Sequence, residues 1–233
     1  MLDYIGIVGA LGEEVETLCE HMENVVVVEY AGMEFHKGVL SGKNVVAVKC
    51  GVGKINSAIC TQILIDRFDC KLLMNVGVAG GLKNEINVGD IVISKDVVNH
   101  DMDATGFGYK LGDIPRMDKS YFEADEELCQ LLLDVNKEVN PSIGTFRGRI
   151  LTGDQFISGK EKKDFLIEYF DGFCAEMEGV ALAQTAYLNK VPFAIVRAIS
   201  DKADGSAEVD YNTFKNGAIV HMVTLVEETL KRL

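Results

Sequence analysis

The amino-acid sequence predicts an α/β fold with a mostly parallel sheet covered by helices, and three observations carry that reading. Short apolar runs of strand length alternate with longer stretches whose apolar residues recur at helical spacing. One hairpin near the front interrupts the alternation. No Pro- or Ser-rich linker and no internal repeat divides the 233 residues, so a single domain, 1–233, is expected.

Taken in order, YIGIVGA (4–10) is an apolar run ending in small residues, as a buried parallel strand requires. GEEVETLCEHM then turns helical, with Val15, Leu18, Cys19 and Met22 on one stripe. VVVVEY and MEFHKGVL flank a turn at AGM and read as a hairpin, and NVVAVKC follows as a strand. KINSAICTQILIDRF is a helix whose expected buried face is Ile55, Ala58, Ile59 and Ile63. LLMNVGV and DIVISKDVV are strands, and 103–120 is the longest irregular stretch, too long for a bland connection. EADEELCQLLLDVNKEV is a helix, TFRGRILTG a strand and KEKKDFLIEYF a helix. GVALAQTAYLNK is helical, VPFAIVRAIS a strand, and a long helix runs from about Tyr211 to Leu230.

With 36 acidic against 23 basic residues the formal charge is −13, which argues against nucleic acid or an anionic membrane surface as partner. The six cysteines form no C-x-x-C pair and sit mostly in apolar runs, as reduced thiols of a cytoplasmic protein do. The four histidines lack metal-ligand spacing, and HDMD (100–103) reads as a polar loop, so no metal is expected. MLDYIGIVGAL has no basic leader, and no apolar run has membrane-span length.

The strand-like segments repeatedly end in unusual residues: Glu13 and Glu14, GVGK (51–54), AGG (79–81), DQFIS (154–158), CAEMEG (174–179) and Asp201. In a parallel sheet such ends share one rim, where α/β proteins place ligands. GVGK and GVAGG lack the spacing of phosphate-binding loops, which leaves close backbone approach to a flat ligand. CAEMEG sets two carboxylates around Met177; if extended, Glu176 and Glu178 share a face and need a cation, a polar ligand or water. A solvated helix start would satisfy them equally. Arg197 inside an apolar strand needs a partner, either a structural acid or a pocket shared with Glu14, Glu178 and Asp201.

As a set, GIVGALGEEV, CGVGK, NVGVAGGL, VGDIVIS, HDMDATGFGY, GDQFIS, AEMEG and RAISD resemble the 5′-methylthioadenosine/S-adenosylhomocysteine nucleosidases of the nucleoside phosphorylase superfamily, in order from residue 6 to about 214. The resemblance implies a three-layer α/β/α fold with a mixed, mostly parallel twisted central sheet. It also implies a homodimer, no cofactor, a place in methionine salvage and hydrolysis of a nucleoside to adenine and a ribose or thioribose. By resemblance Asp201 carries the purine proton, Glu14 polarises the attacking water, and Arg197 lies near both water and Glu14. Phe156 stacks on adenine, and the Ile157 backbone reads its edge. Glu178 accepts from the ribose hydroxyls, Met177 packs on the sugar, and Glu176 supports the polar end. Leu11, Val52, Val78, Ala79, Gly80, Ser200 and Tyr211 complete the substrate site. Phe107 and Pro115 reach it from the partner subunit.

Two carboxylates in different environments suit that division of labour. The acidic GALGEEV loop is hostile to phosphate, which favours hydrolysis over phosphorolysis. The chain departs from the family in carrying Val78 where serine is usual, removing a hydroxyl beside the water, and Leu11 where methionine is common, a volume-conserving swap. Futalosine-type hydrolases and purine nucleoside phosphorylases share the layout, and a non-catalytic nucleoside sensor is the alternative from another class. Such a sensor would need neither an acid nor a base.

Overall fold

The computed structural model describes residues 3–205 and 207–233, except for the side chains of 208–216 and 218. The apolar first strand, β1 (Tyr4–Gly9), is flanked in parallel by β4 (Lys43–Lys49) and β5 (Cys70–Gly81). The expected hairpin is β2 (Glu23–Tyr30) and β3 (Met33–Leu40), turning through Ala31 and Gly32, both at positive φ, as a tight two-residue hairpin turn requires. β3 runs on antiparallel into β4, and β2, with Val25, Val26 and Val27 exposed, is the outer edge of the sheet.

On its other side β5 starts a ring. It pairs in parallel with β10 (Phe193–Asp201), which pairs antiparallel with β6 (Ile91–Asn99). β6 runs parallel to β8 (Thr145–Thr152), and β8 to β9 (Gly172–Glu176). β9 then returns to β5 at Gly80 and Gly81. A short β7 (Tyr121–Glu123), which the sequence pattern does not announce, adds to β6. Among the described residues five strand pairings are parallel and five antiparallel, so the sheet is mixed. It is less parallel than strand–helix alternation suggests, because the hairpin and the ring closure each add antiparallel contacts.

The helices are α1 (Gly12–Glu20), α2 (Lys54–Phe68), α3 (Glu126–Val139), α4 (Lys160–Phe170), α5 (Gly179–Asn189) and α6 (Ala207–Arg232). α2 packs on α5, and α1 and α3 pack on α6, which lies along β10 and β5. On α1, Val15 and Leu18 are buried as the stripe predicts, Cys19 is half-buried, and Met22 is buried just past the helix end. On α2 the expectation is overturned. Its buried face is Ser57, Cys60, Thr61, Leu64 and Phe68, while Ile55 is 75% and Ile59 44% exposed. The small hydroxyl face packs closely because its polar groups are satisfied: Ser57 Oγ donates to the Glu178 carbonyl at 3.1 Å and Thr61 Oγ1 to the Ser57 carbonyl at 2.7 Å. Ile55 and Ile59 are left facing outward, while Ala58 and Ile63 are half-buried.

The stretch 103–120 contains a single 3₁₀ turn at Thr105–Phe107. All six cysteines are free, five of them buried. No helix among the described residues is long and apolar enough to cross a membrane.

Candidate active site

The ring and its neighbours bring the carboxyl ends of β1, β5, β9 and β10 to one rim, and four acidic side chains, in three settings, are built there in different ways. Glu14, in the first turn of α1, bends back over the helix start. Its Oε2 accepts from the amides of Ala10 at 2.7 Å and Leu11 at 2.8 Å, and its Oε1 from Val78 at 3.1 Å. It is 3% exposed. Burial pushes its carboxyl above the usual range, against the opposing pull of those amides and of the Arg197 charge. The result is a rigidly aimed carboxylate with raised proton affinity, the property of a general base.

Asp201 closes β10. Its Oδ2 accepts from Ser200 Oγ at 2.9 Å and its Oδ1 from the Ala203 amide at 2.8 Å. The glycines of GVAGG explain how the two carboxylates fit. A Cβ on Gly77 would lie 2.8 Å from Glu14 Oε1, and one on Gly80 2.9 Å from Asp201 Oδ1. Each acid rests against a bare backbone, the two contact points being three residues, about 10 Å, apart along β5. The glycines make room for acids, not phosphates.

The third group answers the question of CAEMEG. β9 stops at Glu176, so the extended geometry that would put Glu176 and Glu178 on one face does not reach Glu178, which caps α5 with φ −128° and ψ −35°. Glu176 is saturated from within. It accepts from Thr152 Oγ1, from the amides of Glu178 at 3.0 Å and Gly179 at 2.7 Å, and from the Arg197 guanidinium. Glu178 accepts from the Gly53 amide at 2.8 Å. Burial first, and then the neighbouring Glu176 charge, push the Glu178 carboxyl up to about 7.

Arg197 is not on the cavity wall. It lies behind the floor, fully buried, in an ion pair with Glu176; the guanidinium also donates to the Asn75 side chain and to the carbonyls of Asn75 at 3.3 Å and Val196 at 3.1 Å. The structural-acid alternative therefore describes it. Its closeness to Glu14 is electrostatic, without a direct hydrogen bond between them. Asn75, a lone polar residue in the apolar run of β5, and Thr152, at the end of β8, lock this pair; Asn75 opens the motif NVGVAGGL, and Thr152 directly precedes GDQFIS.

These groups floor a cavity of about 300 Å³. Leu11, Val78, Ala79, Gly80 and Ser200 line it beside Glu14 and Asp201; Val52, Phe156, Ile157 and Met177 form its apolar sides with Glu176 and Glu178. Ala10, Gln155 and Ala175 also line it; each adjoins a residue singled out from the sequence, and adjacency was the available signal. The Tyr211 side chain lies outside the described residues. Phe107, 88% exposed, and the half-buried Pro115 do not line the cavity of their own chain. No Lys or Arg is among the lining residues, which include four carboxylates.

The profile of the phosphorylase superfamily matches residues 4–231. A 5′-methylthioadenosine/S-adenosylhomocysteine nucleosidase of Exiguobacterium sp. is 40% identical over 230 residues, 98% of each chain. The chain belongs to this nucleosidase family. The fold agrees: the Neisseria meningitidis nucleosidase, solved with methylthio-immucillin-A, superposes with a TM-score of 0.95 at 33% identity over the whole of both chains. Futalosine hydrolase of Helicobacter pylori also superposes with a TM-score of 0.95, at 31% identity, over all of this chain and 99% of its own. Family fold alone thus does not choose the substrate; the site must.

Proposed function

We propose that the chain, acting as one domain, is an N-glycosidic hydrolase that cleaves 5′-methylthioadenosine, S-adenosylhomocysteine and 5′-deoxyadenosine to adenine and the corresponding thioribose or ribose. The carrying observation is a cavity wall with four carboxylates and no cation among the described residues. A phosphate dianion would be repelled there, whereas water is an acceptable nucleophile. Asp201 delivers a proton to purine N7, which lets adenine leave as a neutral base. The C1′–N9 bond breaks as the water oxygen bonds to C1′, and Glu14 takes the proton that water sheds. Asp201 is left ionised and Glu14 protonated, and exchange with solvent restores both.

Glu178 in its ionised form accepts from the ribose hydroxyls, with Met177 against the sugar, Phe156 on the adenine face and the Ile157 backbone at its edge. Arg197 acts on this chemistry from a distance, holding Glu176 and favouring the ionised forms of Glu178 and Glu14.

The protein acts as a homodimer in this reading. The outward-facing Ile55 and Ile59 and the exposed Phe107 are the residues a partner would cover, with Phe107 and Pro115 closing the partner's cavity over the 5′ substituent. The six free cysteines suit a reducing, cytoplasmic setting, and the products suit methionine salvage. A futalosine-type substrate is the second reading, favoured by the Helicobacter pylori neighbour. Free purine release from a panel of nucleosides, with and without phosphate, tests both. Thioribose formation independent of phosphate supports the proposal. A ribose 1-phosphate product, or cleavage of futalosine alone, overturns it.

A further inference from the structure

The cavity is walled on one side by the GVGK loop and on another by the loop after β8, and one lysine joins them. Lys54, the first residue of α2, directs Nζ to Asp101 Oδ1 at 2.5 Å, Asn99 Oδ1 at 3.2 Å and Asp154 Oδ2 at 3.4 Å. Its amide donates to Asp154 Oδ1 at 3.2 Å, and the Asp154 amide donates to Asp101 Oδ2 at 2.8 Å. Lys54, Asp101 and Asp154 thus form a closed triangle joining three chain segments. The Lys54 side chain is 20% and that of Asp101 16% exposed, so this is a partly dehydrated pair and not a solvated surface contact.

What the triangle holds is specific to the cavity. Immediately before Lys54, the Gly53 amide is the donor to Glu178 Oε1, and Val52 lines the cavity. Immediately after Asp154 come Gln155, Phe156 and Ile157, which line it too. Neither segment belongs to a strand, so sheet pairing does not fix their separation. Gly53 has φ +98°, a conformation with little local preference to keep it in place.

We propose that Lys54 is a positioning residue for nucleoside binding: through Asp101 and Asp154 it clamps the GVGK loop to the 154–157 loop, keeping the Gly53 amide on Glu178 and the Phe156 side at its working distance. The inference rests on the proposed reading of the cavity as a nucleoside site. Without the clamp, the Gly53 donor leaves Glu178 part of the time, and the carboxylate loses a group that favours its ionised form. Binding should weaken more than turnover, and the pH at which binding fails should rise.

The test compares wild type, Lys54→Met and Lys54→Arg, with Asp154→Asn as a second way to open the triangle. Each is assayed for KM and kcat on methylthioadenosine across pH 5–9 and for melting temperature. In Lys54→Met we expect KM to rise about tenfold with kcat changed less than threefold, the limb of 1/KM against pH to move upward, and Lys54→Arg to restore much of the loss. Asp154→Asn should repeat the pattern more weakly. KM and its pH limb unchanged in a folded Lys54→Met protein would overturn the proposal. So would equal losses in kcat and KM that track a lower melting temperature in both Lys54→Met and Asp154→Asn. Wild type that releases no adenine would overturn the functional reading instead, which separates the two failures.

Discussion

Glu178 ties stability to activity in a way that can be measured. In the folded protein its carboxyl sits at about 7 instead of 4.5, chiefly through burial and then through Glu176. Between those values the folded chain holds a proton that the unfolded chain has released. The resulting stability is complete below about pH 4.5 and is lost as pH rises through 7. The full displacement corresponds to about 3 kcal/mol. Glu178→Gln keeps the shape and an acceptor for the Gly53 amide but removes the titration. Its melting temperature at pH 8 should therefore exceed that of wild type by roughly 6–12 °C, at 2–4 °C per kcal/mol for a chain of this size. At pH 5 the difference should shrink to roughly a quarter of that, because the unfolded carboxyl is still partly ionised there. The catalytic counterpart has the opposite sense. If ribose hydroxyls donate to the carboxylate, wild-type KM should fall as pH rises to 7, by about tenfold per pH step below it, while the Gln variant has a high KM without that slope. Melting curves from pH 5 to 8 and KM profiles for both proteins decide it. Parallel pH dependence of melting in the two proteins would refute the assignment of the raised carboxyl to Glu178.

Three further outcomes are expected. Val78→Ser restores a hydroxyl beside Glu14, whose Oε1 already accepts the Val78 amide; a bond to a polarised water worth roughly 1.5 kcal/mol would raise kcat about tenfold with KM unchanged, measured by adenine release. Arg197→Met strands Glu176 in a buried site and should cost about 3–5 kcal/mol in denaturant unfolding, whereas Arg197→Met with Glu176→Gln should recover part of it. If the proposed dimer buries the exposed Ile55 and Ile59 of α2, Ile59→Lys should shift its light scattering to monomer with loss of activity; an unaltered mass would remove that face from the interface.

The fold was legible wherever one residue pattern had one physical solution. β1 is apolar throughout and β10 is apolar except at Arg197, Ser200 and Asp201, so both had to be interior strands; the hairpin followed from two strand-like runs around the turn at Ala31 and Gly32. The stripe of Ile55 and Ile59 misled because periodicity shows that a helix has an apolar face but not what covers it. Here α5, together with the sheet, takes the side with Ser57, Cys60 and Thr61. β7 was too short to carry a pattern. In the site, Glu14, Glu178 and Asp201 stood out because acids at strand ends are costly to bury, and they do line one cavity. Arg197 stood out for the same reason, yet its partner could not be read. Glu176 lies 21 residues away, and the bond depends on how β9 and β10 close the ring. The clamp at Lys54 was equally invisible: the pairing of β6 with β8 sets Asp101 beside Asp154, but Lys54, 47 and 100 residues away in sequence, meets them only through the tertiary packing of α2.

The division of proton chemistry between Glu14 and Asp201 is the central claim, and one comparison tests it most directly. Adenine release by wild type, Glu14→Gln and Asp201→Asn is measured beside release of nitrophenol from a 5′-methylthioribosyl nitrophenyl ether, whose leaving group departs without protonation. General acid or base catalysis contributes about 10²–10⁴-fold, so each variant should lose at least a hundredfold on methylthioadenosine. On the nitrophenyl substrate Asp201→Asn should regain most of its rate and Glu14→Gln almost none, because water still needs its base. Equal rescue of both variants, or near-normal adenine release by either, would contradict the assignment.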